Sequence, residues 1–262
     1  MKLHSVYGPS LPESGWVPAP RYLLRRQLVL NCLKNENKSN LLEIGSGPAV
    51  LLYELASNGW NCSALERSVE ALKIAKKLHN QQDLAIIHEQ PESDWSNKFN
   101  WILAMEVLEH IDDDFTALRE WATWIKPGGK ILLSVPAHQK KWNSTDVWAG
   151  HYRRYEKDQL VDLFEKSGFQ VEKVMSYGFP LANIIEPIRA WHHGRLLKEK
   201  EGTSLEENTN QSGISRSLEK KLYPFYSNFI SVFFMQVAFG LQQLFLNTDL
   251  GTGYLVQAKR VD

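Results

Sequence analysis

The segment Leu41-Leu42-Glu43-Ile44-Gly45-Ser46-Gly47-Pro48-Ala49-Val50 ends an apolar run in a carboxylate and passes straight into two closely spaced glycines. Glycine at such a turn lets the backbone bend sharply and come close to a bound nucleoside that side chains would obstruct. A dinucleotide site would favour glycine or alanine where Val50 stands, and a pyrophosphate would be repelled by Glu43. A cationic ligand suits that carboxylate better. Glu66 ends the next apolar run, at the position where nucleotide-binding folds use an acid to accept hydrogen bonds from ribose hydroxyls. Two later segments, Glu106-Val107-Leu108-Glu109-His110-Ile111 and Gly150-His151-Tyr152-Arg153-Arg154-Tyr155, each carry a histidine, whose ordinary pKa suits proton transfer near neutral pH.

The elements that position these residues alternate. Short apolar runs at 41–44, 60–65, 84–88, 101–105, 131–135 and 169–177 are separated by amphipathic stretches, which is the pattern of βα units building a mostly parallel sheet. A helix is expected over 50–57, closed by Gly59, and Ser68 can cap the next one. Asp112, Asp113 and Asp114 stand at the start of a helix expected to turn Phe115, Leu118, Trp121 and Trp124 inward, and Lys126-Pro127-Gly128-Gly129 stops it. A last strand is expected over 253–259. The chain then divides into an N-terminal helical cap (1–40), a core (41–178), a helical insertion or lid with a mobile polar loop near 198–220 (179–247), and the final core strand (248–262).

Taken together, Glu43-x-Gly45-x-Gly47-x-Ala49, Glu66, the Glu106–Ile111 block and Ile125-Lys126-Pro127-Gly128-Gly129-Lys130 resemble the class I S-adenosylmethionine-dependent methyltransferases over roughly residues 40–136. The resemblance implies a Rossmann-like α/β fold of seven mostly parallel strands flanked by helices, with the last strand antiparallel. It implies S-adenosylmethionine as cofactor: Glu43 toward the methionine ammonium, Gly45, Ser46 and Gly47 under the methionine and ribose, and Glu66 on the ribose. Arg67 and Glu89 fall beside the adenine, and Ala104 and Met105 at the end of the fourth strand. Ala49 departs from a third glycine, and Asn100 replaces an aspartate common at the start of that strand. The Gly150–Tyr155 block resembles one in a subgroup associated with sugars, lipids and secondary metabolites. The alternatives are a dinucleotide-binding oxidoreductase and a noncatalytic module that keeps the fold.

A hydroxyl acceptor benefits from a base, so O-methylation is favoured, with His151 as base and Tyr152 and Arg153 orienting the acceptor; His110 is the second candidate. The plainer reading is that these residues pin the loop to the core. His192 and His193 are adjacent and cannot both face one ion from a helix, and the aspartate run is explained by a helix start, so no metal is expected. Arg21, Arg25 and Arg26 form a small basic group on an N-terminal helix that could contact an acidic acceptor, but read most simply as a solvated face.

The 262 residues carry 30 basic and 30 acidic side chains, which gives no global field toward nucleic acid or an anionic membrane. A small-molecule acceptor with an apolar or glycosyl portion is therefore expected, recognised by a local pocket. Cys32 and Cys62 have no zinc or dithiol spacing, and the first residues have no signal-peptide run, so an unprocessed cytoplasmic chain is expected. Residues 222–246 are apolar but interrupted by glutamines, and are read as buried helices, with a membrane-surface contact as the alternative.

Overall fold

The computed structural model describes residues 1–79, 84–199 and 217–261. The N-terminal segment is not purely helical as expected: it opens with an antiparallel hairpin of β1 (Lys2–His4) and β2 (Gly8–Ser10). Helix α1 (Pro20–Leu33) follows, with proline in its first turn and Leu23, Leu24, Leu28, Val29 and Leu33 buried.

The core alternates β3 (Asn40–Ile44), α2 (Val50–Ser57), β4 (Asn61–Leu65), α3 (Val69–His79), β5 (Ala85–His88), β6 (Phe99–Met105), α4 (Asp114–Trp124) and β7 (Ile125–Pro136). Then come α5 (Ser144–Ala149), α6 (Lys157–Lys166), β8 (Phe169–Tyr177), the helices α7 (Leu181–Glu199), α8 (Ser217–Tyr226) and α9 (Phe229–Phe245), and β9 (Gly253–Arg260). The seven-stranded sheet has the order β5-β4-β3-β6-β7-β9-β8, with β9 antiparallel to both its neighbours and the other pairs parallel. Strand order reverses between β3 and β6, so the loops leaving those two strands border one crevice.

Both faces of the sheet are covered, which is why its central strands read as continuous apolar runs. Leu42, Ile44, Ile102, Ala104, Ile131 and Leu133 pack with α4 and α6 residues on one side. Leu41, Trp101, Leu103, Met105 and Leu132 pack with α1 and α2 residues on the other.

Three local expectations change. Phe115 is exposed, because Asp113 caps α4 through Thr116 N and sets the helix phase with Leu118 and Trp121 inward. Lys126–Gly129 is not a separate turn but an outward bulge within β7, where Phe99↔Ile125 and Trp101↔Lys130 leave the extra residues unpaired. The loop that leads into the Gly150–Tyr155 block is not irregular throughout but contains α5, begun by a capping box in which Asn143 and Asp146 serve each other's backbone N–H. The insertion between β8 and β9 is helical; most of the 198–220 segment expected to be mobile lies outside the described residues.

Candidate active site

Gly45 and Gly47 both adopt positive φ, and they do different jobs. A Cβ on Gly45 would lie 2.5 Å from Val107 Cγ2, so its bareness lets the β6 loop pack against the turn. A Cβ on Gly47 meets nothing within 4 Å, which leaves its face open to a ligand. Ala49 has φ 55°, a left-handed conformation that explains why a third glycine fits this position. Glu66, at the end of β4, holds the turn: one oxygen accepts from Gly47 N at 2.6 Å and the other from Arg67 N and Ser68 N.

Glu43 lies on the crevice wall with Gly45, Ser46 and Gly47. It is buried, and its Oε2 has no hydrogen-bond partner. Burial pushes its carboxyl up to about 8, against a lowering by Arg25 and with a further rise from Glu66. A buried acid that lacks a partner and sits beside an open glycine turn fits an ammonium group, and the nearby Arg25 fits a carboxylate. The residues present therefore suit the zwitterionic end of an amino acid-bearing nucleoside.

Across the crevice, Glu106 stands at the end of β6 with φ 60°. Its carboxylate meets Arg21 at 2.9 Å and Arg25 at 3.6 Å, and accepts from Tyr177 Oη at 2.8 Å and from Ser134 Oγ at 3.1 Å. Burial opposes its charge, but the two guanidiniums and the tyrosine hydroxyl outweigh it and hold the carboxyl at about 2. Arg21 and Arg25 are thus not a solvated face. Arg26 is also buried, paired to Glu54 through Nε at 2.6 Å.

His151 and His110 meet edge to face, 4.7 Å between ring centroids, and both border the crevice. Burial, then the neighbouring His151 ring, holds His110 down at about 3, so it is a neutral imidazole. His151 Nδ1 lies 2.9 Å from Asp146 on α5, and its Nε2 is 3.9 Å from Glu109. Asp146 is fixed in turn by Arg154, whose Nε and Nη2 each donate at 2.8 Å, and by Asn143 N. Burial, reinforced by Glu106, pushes Glu109 well above the carboxylate range, and neither of its oxygens has a hydrogen-bond partner.

Of the residues expected from sequence, the structure gathers Glu43, Gly45, Ser46, Gly47, Met105, His110 and His151 around one cavity of about 200 Å³. Glu66 braces that cavity's turn from behind, and Ala104 is buried in the core beneath it. Arg67 is exposed beside the turn, and Glu89 is exposed and paired to Lys76 at 2.6 Å. Tyr152 and Arg153 do not reach the cavity. Tyr152 is 44% exposed, and Arg153 is drawn to Asp114 at 2.7 Å and to Asp112, which pins the loop to the start of α4. Asn100 accepts from Lys126 Nζ at 3.3 Å, a bond within the bulge. Sequence reading missed Tyr177 and Asp146, gave Glu106 no role beyond membership of its motif, and took Arg21 and Arg25 for a solvated face. Asp146 had a local signal, the Asn-x-x-Asp capping pattern.

A doubly wound sheet with a nucleoside-sized crevice at its switch point, a glycine turn and a partnerless acid defines a nucleoside-binding α/β enzyme. The family pattern described as methyltransferase domain matches residues 19–174, more than half of the chain. The protein belongs to this family, the class I S-adenosylmethionine-dependent methyltransferases. A ubiquinone biosynthesis O-methyltransferase of Xanthomonas euvesicatoria pv. vesicatoria is 31% identical over 109 residues, 37% of this chain and 43% of that protein. A second, from Alkalilimnicola ehrlichii, is 26% identical over 118 residues, 43% of this chain and 47% of that one. The match thus spans less than half the length of either relative. Among solved structures, a putative sarcosine dimethylglycine methyltransferase from Galdieria sulphuraria superposes with a TM-score of 0.57 at 13% identity, covering 91% of this chain and 86% of the other, a likeness of fold alone.

Proposed function

We propose that the protein methylates an oxygen of a small acceptor with an apolar portion, using S-adenosylmethionine as donor and His151 as general base. The observation that carries this reading is the Asp146–His151 pair at the crevice. With Nδ1 committed to a carboxylate that Arg154 keeps ionised and fixed, Nε2 is the nitrogen left to take a proton. S-adenosylmethionine supplies an electrophilic methyl group on a sulfonium. Glu43 and Arg25 are suited to hold its ammonium and carboxylate groups, and the Gly45–Gly47 turn braced by Glu66 to support its ribose side. His110, held neutral by burial, adds no positive charge next to that sulfonium.

A second cavity, of about 230 Å³, adjoins the first through Ala19, Arg21, Thr145 and Arg189. Its remaining wall includes Pro20, Ala182, Ile185, Ile188, Leu222 and Tyr226, which favours an apolar over a glycosyl portion in the acceptor. The oxygen chemistry named for the two bacterial relatives is of the same type.

A metal-assisted version of the same reaction is favoured by one observation. Ligand atoms of Glu109, His110 and His151 lie within 4.8 Å of one another, and the Glu109 carboxylate is otherwise without partners. A divalent ion there would polarise the acceptor oxygen.

Incubating metabolite, lipid, protein and RNA fractions with methyl-labelled cofactor tests the acceptor class: label in a small, organic-extractable product is expected, and label in RNA or protein alone overturns it. With the acceptor known, His151→Ala should keep S-adenosylhomocysteine affinity and lower turnover by roughly 100-fold. A stably folded His151→Ala protein with parental turnover removes the base. Turnover abolished by a chelator and restored by a divalent ion selects the metal-assisted version.

A further inference from the structure

Helix α9 is apolar on both sides. Its inner stripe, Met235, Ala238, Phe239 and Gln242, is buried, and Gln242 bonds Gly178 N and Leu24 O. Its outer stripe, Ile230, Phe233, Phe234, Val237, Leu241 and Leu244, is exposed, and Phe229 at its start is 87% exposed. Exposed Gln236 and Gln243 edge one flank, but a helix with apolar stripes on two faces is ordinarily covered on both. The same holds on α7, where Ile184, Ile188 and Trp191, spaced four and three apart, form one exposed stripe. Ile188 of α7 and Leu222 of α8, both exposed, stand at the mouth of the 230 Å³ cavity and join the two patches.

Cations rim this surface. The α7 stripe continues in exposed Arg195 and Lys198, and the Arg195 guanidinium lies 4.4 Å above the Trp191 ring. Lys220 and Lys221 are exposed on α8 beside Leu222. Residues 222–248 contain no charged side chain at all. An apolar centre with an aromatic and basic edge is the chemistry of the bilayer interface, where rings and aliphatic stems sink and cationic ends meet headgroups.

We propose that the outer faces of α7, α8 and α9 form one docking surface for an anionic lipid bilayer, with α9 lying in the interface plane and the apolar cavity opening toward the acyl chains. A spanning arrangement does not fit. No single helix among the described residues is long and apolar enough to cross, and α8 and α9 meet at 97°. The 17 residues of α9 reach about 26 Å, and its inner stripe is committed to the protein core. A second copy of the chain fits less well than lipid, because a two-fold contact through one patch sets Arg195, Lys220 and Lys221 near their own counterparts. An anionic headgroup layer satisfies both the apolar centre and the basic rim.

The test is co-sedimentation of the whole protein with phosphatidylcholine vesicles, with and without phosphatidylglycerol. Binding to the anionic vesicles, weakened by salt, is expected. The double variant Phe233→Ser/Phe234→Ser should bind at least about ten-fold more weakly, given the apolar area removed. Lys220→Glu/Lys221→Glu should lose the preference for phosphatidylglycerol. Both pairs are solvent-facing, and unchanged thermal melts and S-adenosylhomocysteine binding establish that the variants fold. Absence of vesicle binding by the parent, or binding unaltered by both variants, overturns the proposal. So does a dimer on size-exclusion chromatography that the phenylalanine variant converts to monomer, since a second copy then covers the face.

Discussion

On the β3 wall of the crevice, one carboxylate accepts three backbone N–H groups, and its farthest partner, Gly47, is 19 residues away. On the β6 wall, Glu106 is held by side chains: Arg21 and Arg25 from α1, and Tyr177, 71 residues further on, from the end of β8. The first wall is a local device that one βα unit carries with it. The second exists only after the N-terminal helix has docked on the finished sheet. The contrast separates a wall built within one βα unit from one assembled by elements distant in the chain.

The largest effect that would separate the walls is removal of Glu106. Glu106→Ala leaves two partly buried guanidiniums facing one another, and should cost about 3 kcal/mol in urea unfolding, with Glu106→Gln losing less because it keeps the hydrogen bonds. Sign follows from the depressed pKa: the contribution of Glu106 is present above the ordinary carboxylate range and is lost as pH falls toward about 2. Parental stability in Glu106→Ala would erase the distinction between the walls.

A smaller effect is expected on the other side. Glu66→Ala removes the acceptor of three N–H groups, and should cost about 1–3 kcal/mol while weakening S-adenosylhomocysteine binding measured by calorimetry. Unaltered stability with weakened binding would mean that Glu66 serves the ligand alone and not the turn.

The smallest effect is a proton linkage at Glu43. Its carboxyl is raised from 4.5 to about 8, so in the free protein its stabilising contribution is full below 4.5 and is lost as pH rises through about 8. A cationic ligand needs the ionised form. Affinity for S-adenosylhomocysteine should then rise by up to about ten-fold per pH unit below that value, with proton release visible as a buffer-dependent binding enthalpy, and both should vanish in Glu43→Gln. A flat affinity from pH 6 to 8 in the parent would mean that Glu43 does not meet the ammonium.

The same contrast explains what was legible in the sequence. The glycine turn, α2 over Val50–Ser57 and the central strands follow from short-range rules, in which an apolar run, a glycine and a cap act on their neighbours. Arg21 and Arg25 look like any surface arginines until β8 and β6 bring Tyr177 and Glu106 to them. Glu89, after β5, is exposed and paired to Lys76 of α3, a contact between separate elements that the local sequence does not signal. Tyr152 and Arg153 sit in a loop whose path is set by Asp112 and Asp114, and one residue's difference in direction decides that His151 faces inward and they do not.

Arg154 donates to Asp146 and also, at 2.7 Å, to Glu186 of α7, while Asn143 bonds the same glutamate at 3.1 Å and the His193 ring of α7 stacks on Trp148 of α5 at 4.2 Å. The imidazole that faces the crevice and the helix that faces outward are therefore parts of one lever, with the Arg154 guanidinium as its fulcrum. A tilt of α7 would pull on Glu186, and through the shared guanidinium on the carboxylate that holds His151. In the reaction proposed above, the aim of the base would then be tied to where α7 rests.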